Sequence, residues 1–183
     1  MVFCHEWTQV GDGLMMGMEL RSDLRTAVGA PFRLFAASEA PWVKPFNSSS
    51  SSHASNLITD GPFLFRSRGS GNSTELLMLW SSISTNGQYS VGVARSPGGS
   101  VRGPWTHDPQ PLFAADGGHA MVARLGLSLG GKAGAPPQHT LAVLALHSPN
   151  RKVTESAPRL LGLIEELDAA TGCAKLDLFD FLV

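Results

Sequence analysis

The side chains that could do chemistry in this chain stand in short groups at the ends of predicted strands. His5, Glu6 and Trp7 end the first strand, Asp60 stands before a later strand in an Asp-Gly-Pro turn, and His119 follows two glycines. A carboxyl group beside an apolar ring can have a raised pKa and donate a proton, and an imidazole can bind a metal ion. The same residues have ordinary structural interpretations, because Asp-Gly-Pro is a common turn.

Aromatic and polar residues end two further strands. Trp80 is followed by two serines, and His147 by Ser-Pro-Asn. Together with His5 and Trp7, these side chains predict a sugar-binding rim, because sugar rings stack on aromatic rings and hydrogen-bond to polar groups. Trp80 has an alternative role in packing between sheets. A His-Glu-x-x-His zinc motif is excluded, since Gln9 stands where the second histidine would be.

The chain repeats itself from its first residue onward. Met1–Cys4 aligns with Leu76–Leu79, and Leu14–Met18 aligns with Tyr89–Val93, in both cases 75 residues later. Repetition at a fixed long period predicts stacked supersecondary units. Because the chain opens in the middle of such a unit, the repeat also predicts that the intact protein begins before Met1.

The predicted secondary structure is all-β. Short apolar or alternating runs bounded by Gly, Pro, Ser and Asn predict strands near 2–7, 14–20, 62–66, 76–83, 89–94, 120–124, 141–147, 159–166 and 175–181. Only Ser22–Val28 and Arg159–Leu167 have an alternative helical interpretation. Four strands per unit fit propeller blades better than an antiparallel sandwich, which is the alternative fold. In a propeller, Asp60 and His119 would converge near the central axis.

The composition sets limits on function. The chain has 183 residues, a formal net charge of −1 and 16% charged residues. This charge gives no reason to expect nucleic acid or an anionic membrane as a partner, and no apolar stretch approaches the roughly 18 residues that would span a bilayer. No signal peptide is visible after Met1.

Cys4 and Cys173 form no disulfide framework and are expected to be buried thiols.

Five motifs in order resemble glycoside hydrolase family 43. They are Asp60–Leu64, Leu77–Ser82, Gly103–Trp105, Gly117–His119 and Leu146–Asn150. The resemblance implies a five-bladed β-propeller that hydrolyses arabinose-, xylose- or galactose-containing oligosaccharides or polysaccharides with inversion. Residues 1–183 would then be the C-terminal part of one propeller domain, an incomplete ring of about three blades. Secretion is the localisation that this family implies.

The resemblance also implies site residues. The family uses an aspartate base, an aspartate that modulates pKa and a glutamate general acid. The acid position is Asp60 here, one methylene shorter than glutamate, so Glu6 is the second candidate for the acid. Base and modulator would lie before Met1, and a chain of this extent alone is therefore expected to be inactive. His119 corresponds to an axial histidine that holds water or a calcium ion in the central channel.

Two alternatives to this function remain open from the sequence. One is a carbohydrate-binding or structural propeller remnant that has kept the rim and lost catalysis. The other is a propeller glycosidase of a different clan, such as one acting on fructans.

Overall fold

The computed structural model describes residues 1–49, 51–67, 75–127, 139–150 and 153–181. These residues form three antiparallel sheets. Sheet I contains β1 (Val2–His5), β2 (Leu14–Leu20) and β3 (Ala27–Ala36). Sheet II contains β4 (Asp60–Phe65), β5 (Leu76–Ile83), β6 (Tyr89–Ser96) and β7 (Thr106–His107). Sheet III contains β8 (Gly118–Leu127), β9 (His139–Ser148), β10 (Ala157–Leu167) and β11 (Ala174–Phe179). The predicted all-β class is confirmed.

Helical structure is limited to single turns among the described residues. The helix α1 (Trp7–Val10) follows β1, and short 3-10 turns cover Ala37–Glu39 and Val153–Glu155. Neither segment with an alternative helical interpretation is helical, since Val28 lies in β3 and Arg159–Leu167 lies in β10.

Each sheet follows the chain in simple up-and-down order. In every sheet, consecutive strands are hydrogen-bonded neighbours. The repeat seen in the sequence is confirmed, because β1 and β2 of sheet I correspond in order to β5 and β6 of sheet II. Three sheets of this type match the blade pattern of a propeller, whereas a sandwich has two sheets.

Sheet II lies between sheets I and III, and strand β5 contributes side chains to the core on each face. Leu77 and Leu79 pack into a core shared with sheet III, while Leu76, Met78 and Trp80 pack into a core shared with sheet I. Successive side chains of a strand point to opposite faces, so a strand covered on both faces needs an almost continuous apolar sequence. This explains the run Leu-Leu-Met-Leu-Trp.

Trp80 belongs to the core, which corrects one prediction. Its side chain is 0% exposed and lies 4.9 Å from the Trp42 ring and 5.3 Å from the Phe35 ring, measured between centroids. A sugar cannot reach a ring enclosed in this way. The substrate-binding role predicted for Trp80 is therefore wrong, and the packing alternative describes this residue.

Candidate functional site

The structure brings together Asp60 at the start of β4 and His119 at the start of β8. Nε2 of His119 lies 3.0 Å from Oδ1 of Asp60. The predicted convergence of these two residues is confirmed. Tyr89, the first residue of β6, donates a hydrogen bond of 2.8 Å from its hydroxyl to Oδ2 of Asp60. Both oxygens of the carboxylate therefore have a partner from another strand.

Two glycines allow this close approach. Gly61 has a φ of +52°, and a Cβ added there would lie 2.9 Å from Cα of His119. A Cβ at Gly118 would lie 2.1 Å from Cε1 of Tyr89. Glycine has no Cβ that would collide at either point, and at Gly61 it also adopts the positive φ without strain. The Asp-Gly and Gly-His motifs thus let the polar ends of sheets II and III meet.

His147, at the end of β9, extends the cluster. Its Nε2 lies 3.2 Å from Nδ1 of His119, and its Nδ1 lies 3.3 Å from the Ser156 hydroxyl. Nδ1 of His119 is also 3.2 Å from the Tyr89 hydroxyl. Because that hydroxyl gives its proton to Asp60, it can only accept from His119. The donors and acceptors are satisfied when His119 is doubly protonated and His147 is neutral.

The electrostatics of the cluster agree with this proton arrangement. The hydrogen bond and charge of Asp60 raise the pKa of His119 above its usual value despite burial. Burial alone would raise the pKa of Asp60, but the hydrogen bond and charge of His119, with the hydroxyl of Tyr89, outweigh it and the pKa is lowered. Burial and the neighbouring His119 lower the pKa of His147. Asp60 is therefore an anion at neutral pH.

Glu6 and Asp60 act on the same neighbour, the thiol of Cys4. Burial, followed by the negative charges of Asp60 and Glu6, raises the pKa of Cys4 to about 12. Glu6 follows Cys4 by two residues, and β1 packs against β4, which begins at Asp60. Both candidate carboxylates therefore lie near β1.

Glu6 lies at the point where β1 gives way to α1. The strand ends at His5, two residues earlier than predicted, and Trp7 begins the helical turn. The main-chain carbonyl of Glu6 accepts hydrogen bonds from Gln9 and Val10. Its exposed side chain makes no capping hydrogen bond, and this leaves the carboxyl facing solvent.

The remaining predicted site residues lie in different surroundings. Trp7 is partly exposed and contacts Phe46 edge to face, with 4.9 Å between ring centroids. Cys4 packs towards sheet II, and His5 therefore projects from the opposite face of sheet I. His147 joins the Asp60 cluster, whereas His5 lies on sheet I and Trp7 on α1.

The donor set around His119 does not fit a directly bound calcium ion. Calcium takes six to eight oxygen ligands, whereas His119 offers only ring nitrogens and both oxygens of Asp60 already lie within hydrogen-bond distance of His119 and Tyr89. Among the residues that the structure describes, no group of three or more His, Cys, Asp or Glu side chains could hold a metal ion. His119 could therefore hold a calcium ion only through water, and the water or calcium ion expected in the central channel stays a prediction.

Tyr89, Ser156 and Phe46 were not predicted as site residues. Tyr89 is the only tyrosine of the chain. It stands at the start of a strand in the same repeat unit as Asp60, and this position was the one sequence feature that could have indicated a role in the site. Ser156 lies between β9 and β10, and Phe46 lies between β3 and β4. No local pattern marks residues in such connections as neighbours of a strand end.

Solved structures with similar folds were found. An endo-arabinase from Bacteroides thetaiotaomicron VPI-5482 aligns with 87% of this chain at 38% identity and a TM-score of 0.70, over 49% of its own chain. A thermostable family-43 glycoside hydrolase aligns with 91% at 17% identity and a TM-score of 0.53, over 47% of its chain. A bifunctional GH43-CE protein of Bacteroides eggerthii aligns with 96% at 16% identity and a TM-score of 0.55, over 19% of its chain.

These similarities show to which family of proteins the chain is related. The two more distant structures share its fold, and the endo-arabinase also shares more than a third of the aligned residues. The resemblance to glycoside hydrolase family 43 is thereby confirmed. The chain spans about half the length of the endo-arabinase, 49%. No protein-family model matches the chain, and no curated protein matches it.

Proposed function

We propose that this chain forms one side of the active site of an inverting glycosidase that acts on arabinose-, xylose- or galactose-containing glycans. In this proposal residues 1–183 are the C-terminal part of a five-bladed propeller, and further blades come from outside these residues. The likeness to an endo-arabinase at 38% identity makes arabinan the first substrate to try. Secretion follows from a polysaccharide substrate. None of the described helices is long and apolar enough to cross a membrane.

The observation that carries the proposal is the difference between the two carboxyl groups beside Cys4. Asp60 accepts hydrogen bonds from Tyr89, His119 and its neighbour Gly61, and its pKa is lowered. A group that stays ionised at neutral pH is a poor proton donor. Glu6 is exposed and makes no capping hydrogen bond, so its carboxyl is open to contact the oxygen of a leaving group. We therefore assign the general acid to Glu6 and a structural and electrostatic role to Asp60.

The proposed reaction uses two carboxyl groups on opposite sides of the sugar. Glu6 protonates the oxygen of the leaving group while a carboxylate from outside this chain removes a proton from the attacking water. In an inverting enzyme these groups stand about 6.5–9.5 Å apart, which leaves room for that water. The sugar carbon develops positive charge as its bond to the leaving oxygen breaks, and the anionic Asp60 favours that charge.

The other predicted residues have supporting roles in this proposal. Trp7 offers an aromatic face beside Glu6, while His147 and His5 offer polar groups to sugar hydroxyls. His119 holds Asp60 in its ionised form and binds water in the channel. No step of the proposed reaction depends on calcium.

Hydrolysis of linear arabinan by the intact protein tests the proposal. The reaction should release oligosaccharides whose new reducing end first has the inverted anomeric configuration, which NMR of the fresh product detects. The 183-residue chain alone should bind arabinan without hydrolysing it. Binding without hydrolysis by the intact protein would instead favour the non-catalytic carbohydrate-binding alternative, and failure to bind any glycan would contradict both.

A further inference from the structure

Phe46 forms an aromatic surface with Trp7 next to Glu6. The two rings meet edge to face with centroids 4.9 Å apart, and both side chains keep part of their surface exposed to solvent. Trp7 directly follows Glu6 at the start of α1. Exposed aromatic rings beside a carboxyl group offer the apolar face against which the C–H side of a sugar ring packs.

Phe46 is held in this place by Asn56. The two residues exchange main-chain hydrogen bonds, with Phe46 N donating to Asn56 O at 2.9 Å and Asn56 N donating to Phe46 O at 3.0 Å. Nδ2 of Asn56 donates a further bond of 3.2 Å to the carbonyl of Phe46. The side chain of Asn56 thus fixes the residue that carries the ring.

Asn56 also has a buried polar atom without a hydrogen-bond partner. The residue is 0% exposed, and its Oδ1 atom is buried without a hydrogen-bond partner. A buried polar atom without a partner is unfavourable to stability. The Nδ2 group of Asn56 also lies 3.5 Å from the carbonyl of His53. The side chain of Asn56 therefore joins two main-chain carbonyls of the connection that carries Phe46.

The chain that follows Asn56 is fastened to α1, which carries Trp7 at its start. Leu57 N donates to the carbonyl of Gly11 at 2.9 Å, and Gly13 N donates to the carbonyl of Leu57 at 2.8 Å. The segment before Asp60 and the turn after Glu6 are therefore joined directly. Phe46 and Trp7 keep their relative positions because both are attached to this junction.

We infer that Phe46 is a substrate-contacting residue of the glycan site, that it shares a sugar-stacking surface with Trp7, and that Asn56 is its positioning residue. This inference rests on the proposed function. It adds a ligand chemistry: an uncharged sugar unit that lays its apolar face on this aromatic surface, next to the bond that Glu6 would protonate. Phe46 would thereby set how a glycan chain is placed relative to the acid.

Calorimetric binding of linear arabinopentaose to the 183-residue chain tests the inference. Phe46→Ala should raise Kd about tenfold, while Phe46→Tyr, which keeps the ring, should bind within about twofold of the original chain. Phe32→Ala is the matched control, because Phe32 is also a partly buried ring on sheet I but packs over Gly17 and under Arg102. This control should leave Kd unchanged.

Asn56→Ala gives a second, independent variant. It should weaken binding as Phe46→Ala does, and the double variant should bind no more weakly than Phe46→Ala, because both changes remove the same contact. If Asn56→Ala does not fold, the Phe46 and Phe32 variants still decide the result. Unchanged affinity in Phe46→Ala, with binding by the original chain, overturns this inference alone. Absence of arabinopentaose binding by the original chain overturns it together with the proposed function.

Discussion

Asp60 and His119 form an ion pair of 3.0 Å that joins the first strand of sheet II to the first strand of sheet III. Tyr89 and His147 lie at the same end of these two sheets and contact the pair. The pair lowers the pKa of the Asp60 carboxyl and raises the pKa of the His119 imidazole. The division of roles between Asp60 and Glu6 depends on this pair.

Asp60→Asn should lower the pKa of His119, because the charge and the hydrogen bond that raise it are lost. In the original chain the His119 contribution to stability is complete below about pH 6.5, the unfolded pKa, and is lost as pH rises through the higher folded pKa. The contribution of Asp60 to stability is complete above about pH 3.9, its unfolded pKa, and is lost as the pH falls through the lower folded pKa. Titration of the imidazole signals by NMR measures the change. Asp177→Asn, at the surface pair with Lys175, should leave His119 unaffected, and an unchanged His119 pKa in Asp60→Asn would contradict the account.

Gly118→Ala should destabilise the fold, because the new Cβ would lie 2.1 Å from the Tyr89 ring. Overpacking of this kind typically costs about 1–3 kcal/mol in the free energy of unfolding. Urea unfolding compares it with Gly98→Ala, where nothing lies within 4 Å of the added Cβ and the effect should stay within about 0.5 kcal/mol. Equal stability of the two variants would show that Tyr89 does not lie over Gly118.

Cys4 should report on both carboxyl groups through its reactivity. With a pKa of about 12, it should react with iodoacetamide at pH 8.5 slower than an unfolded thiol by about two to three orders of magnitude. Glu6→Gln and Asp60→Asn should each increase the rate, since each removes a negative charge that opposes the thiolate. Mass spectrometry in a Cys173→Ser background measures this. No increase in Glu6→Gln would mean that Glu6 does not face Cys4.

His107 should make the chain less stable in mild acid. Its ring lies 4.7 Å from the Phe35 ring and 5.4 Å from the Trp80 ring, and burial lowers its pKa despite the charges of Glu39 and Asp108. Since the unfolded histidine gains its proton first, stability falls as pH drops below about 6.5. Urea midpoints at pH 7.5 and 5.5 should differ more for the original chain than for His107→Phe. An equal decrease in both would rule out this role of His107.

The sequence predicts the class, the repeat and most strands, because a strand's apolar alternation is local information. β2 and β5 have the predicted bounds. β3 and β7 were missed for different reasons. β3 begins with mostly exposed residues and contains Pro31 and Gly29, which normally argue against a strand. β7 has only two residues, Thr106 and His107, too few for any periodicity.

The site is only partly predictable, because its residues meet across sheets. The pairing of Asp60 with His119 follows from placing two first strands side by side. The burial of Trp80 depends on sheet I covering that face of β5. The hydrogen bond from Tyr89 to Asp60 joins residues 29 positions apart, and no sequence pattern encodes it. The lowered pKa of Asp60 is a consequence of these three-dimensional contacts.

The most direct test of the central claim is the dependence of the Glu6→Gln effect on the leaving group. In the intact protein, kcat/KM should be measured for linear arabinan and for a 4-nitrophenyl arabino-oligosaccharide, whose leaving group needs no proton. Glu6→Gln should reduce kcat/KM on arabinan by about 10²–10⁴-fold and affect the nitrophenyl substrate far less. Equal losses on both substrates, or the selective loss in Asp60→Asn instead, would contradict the assignment of Glu6 as the general acid.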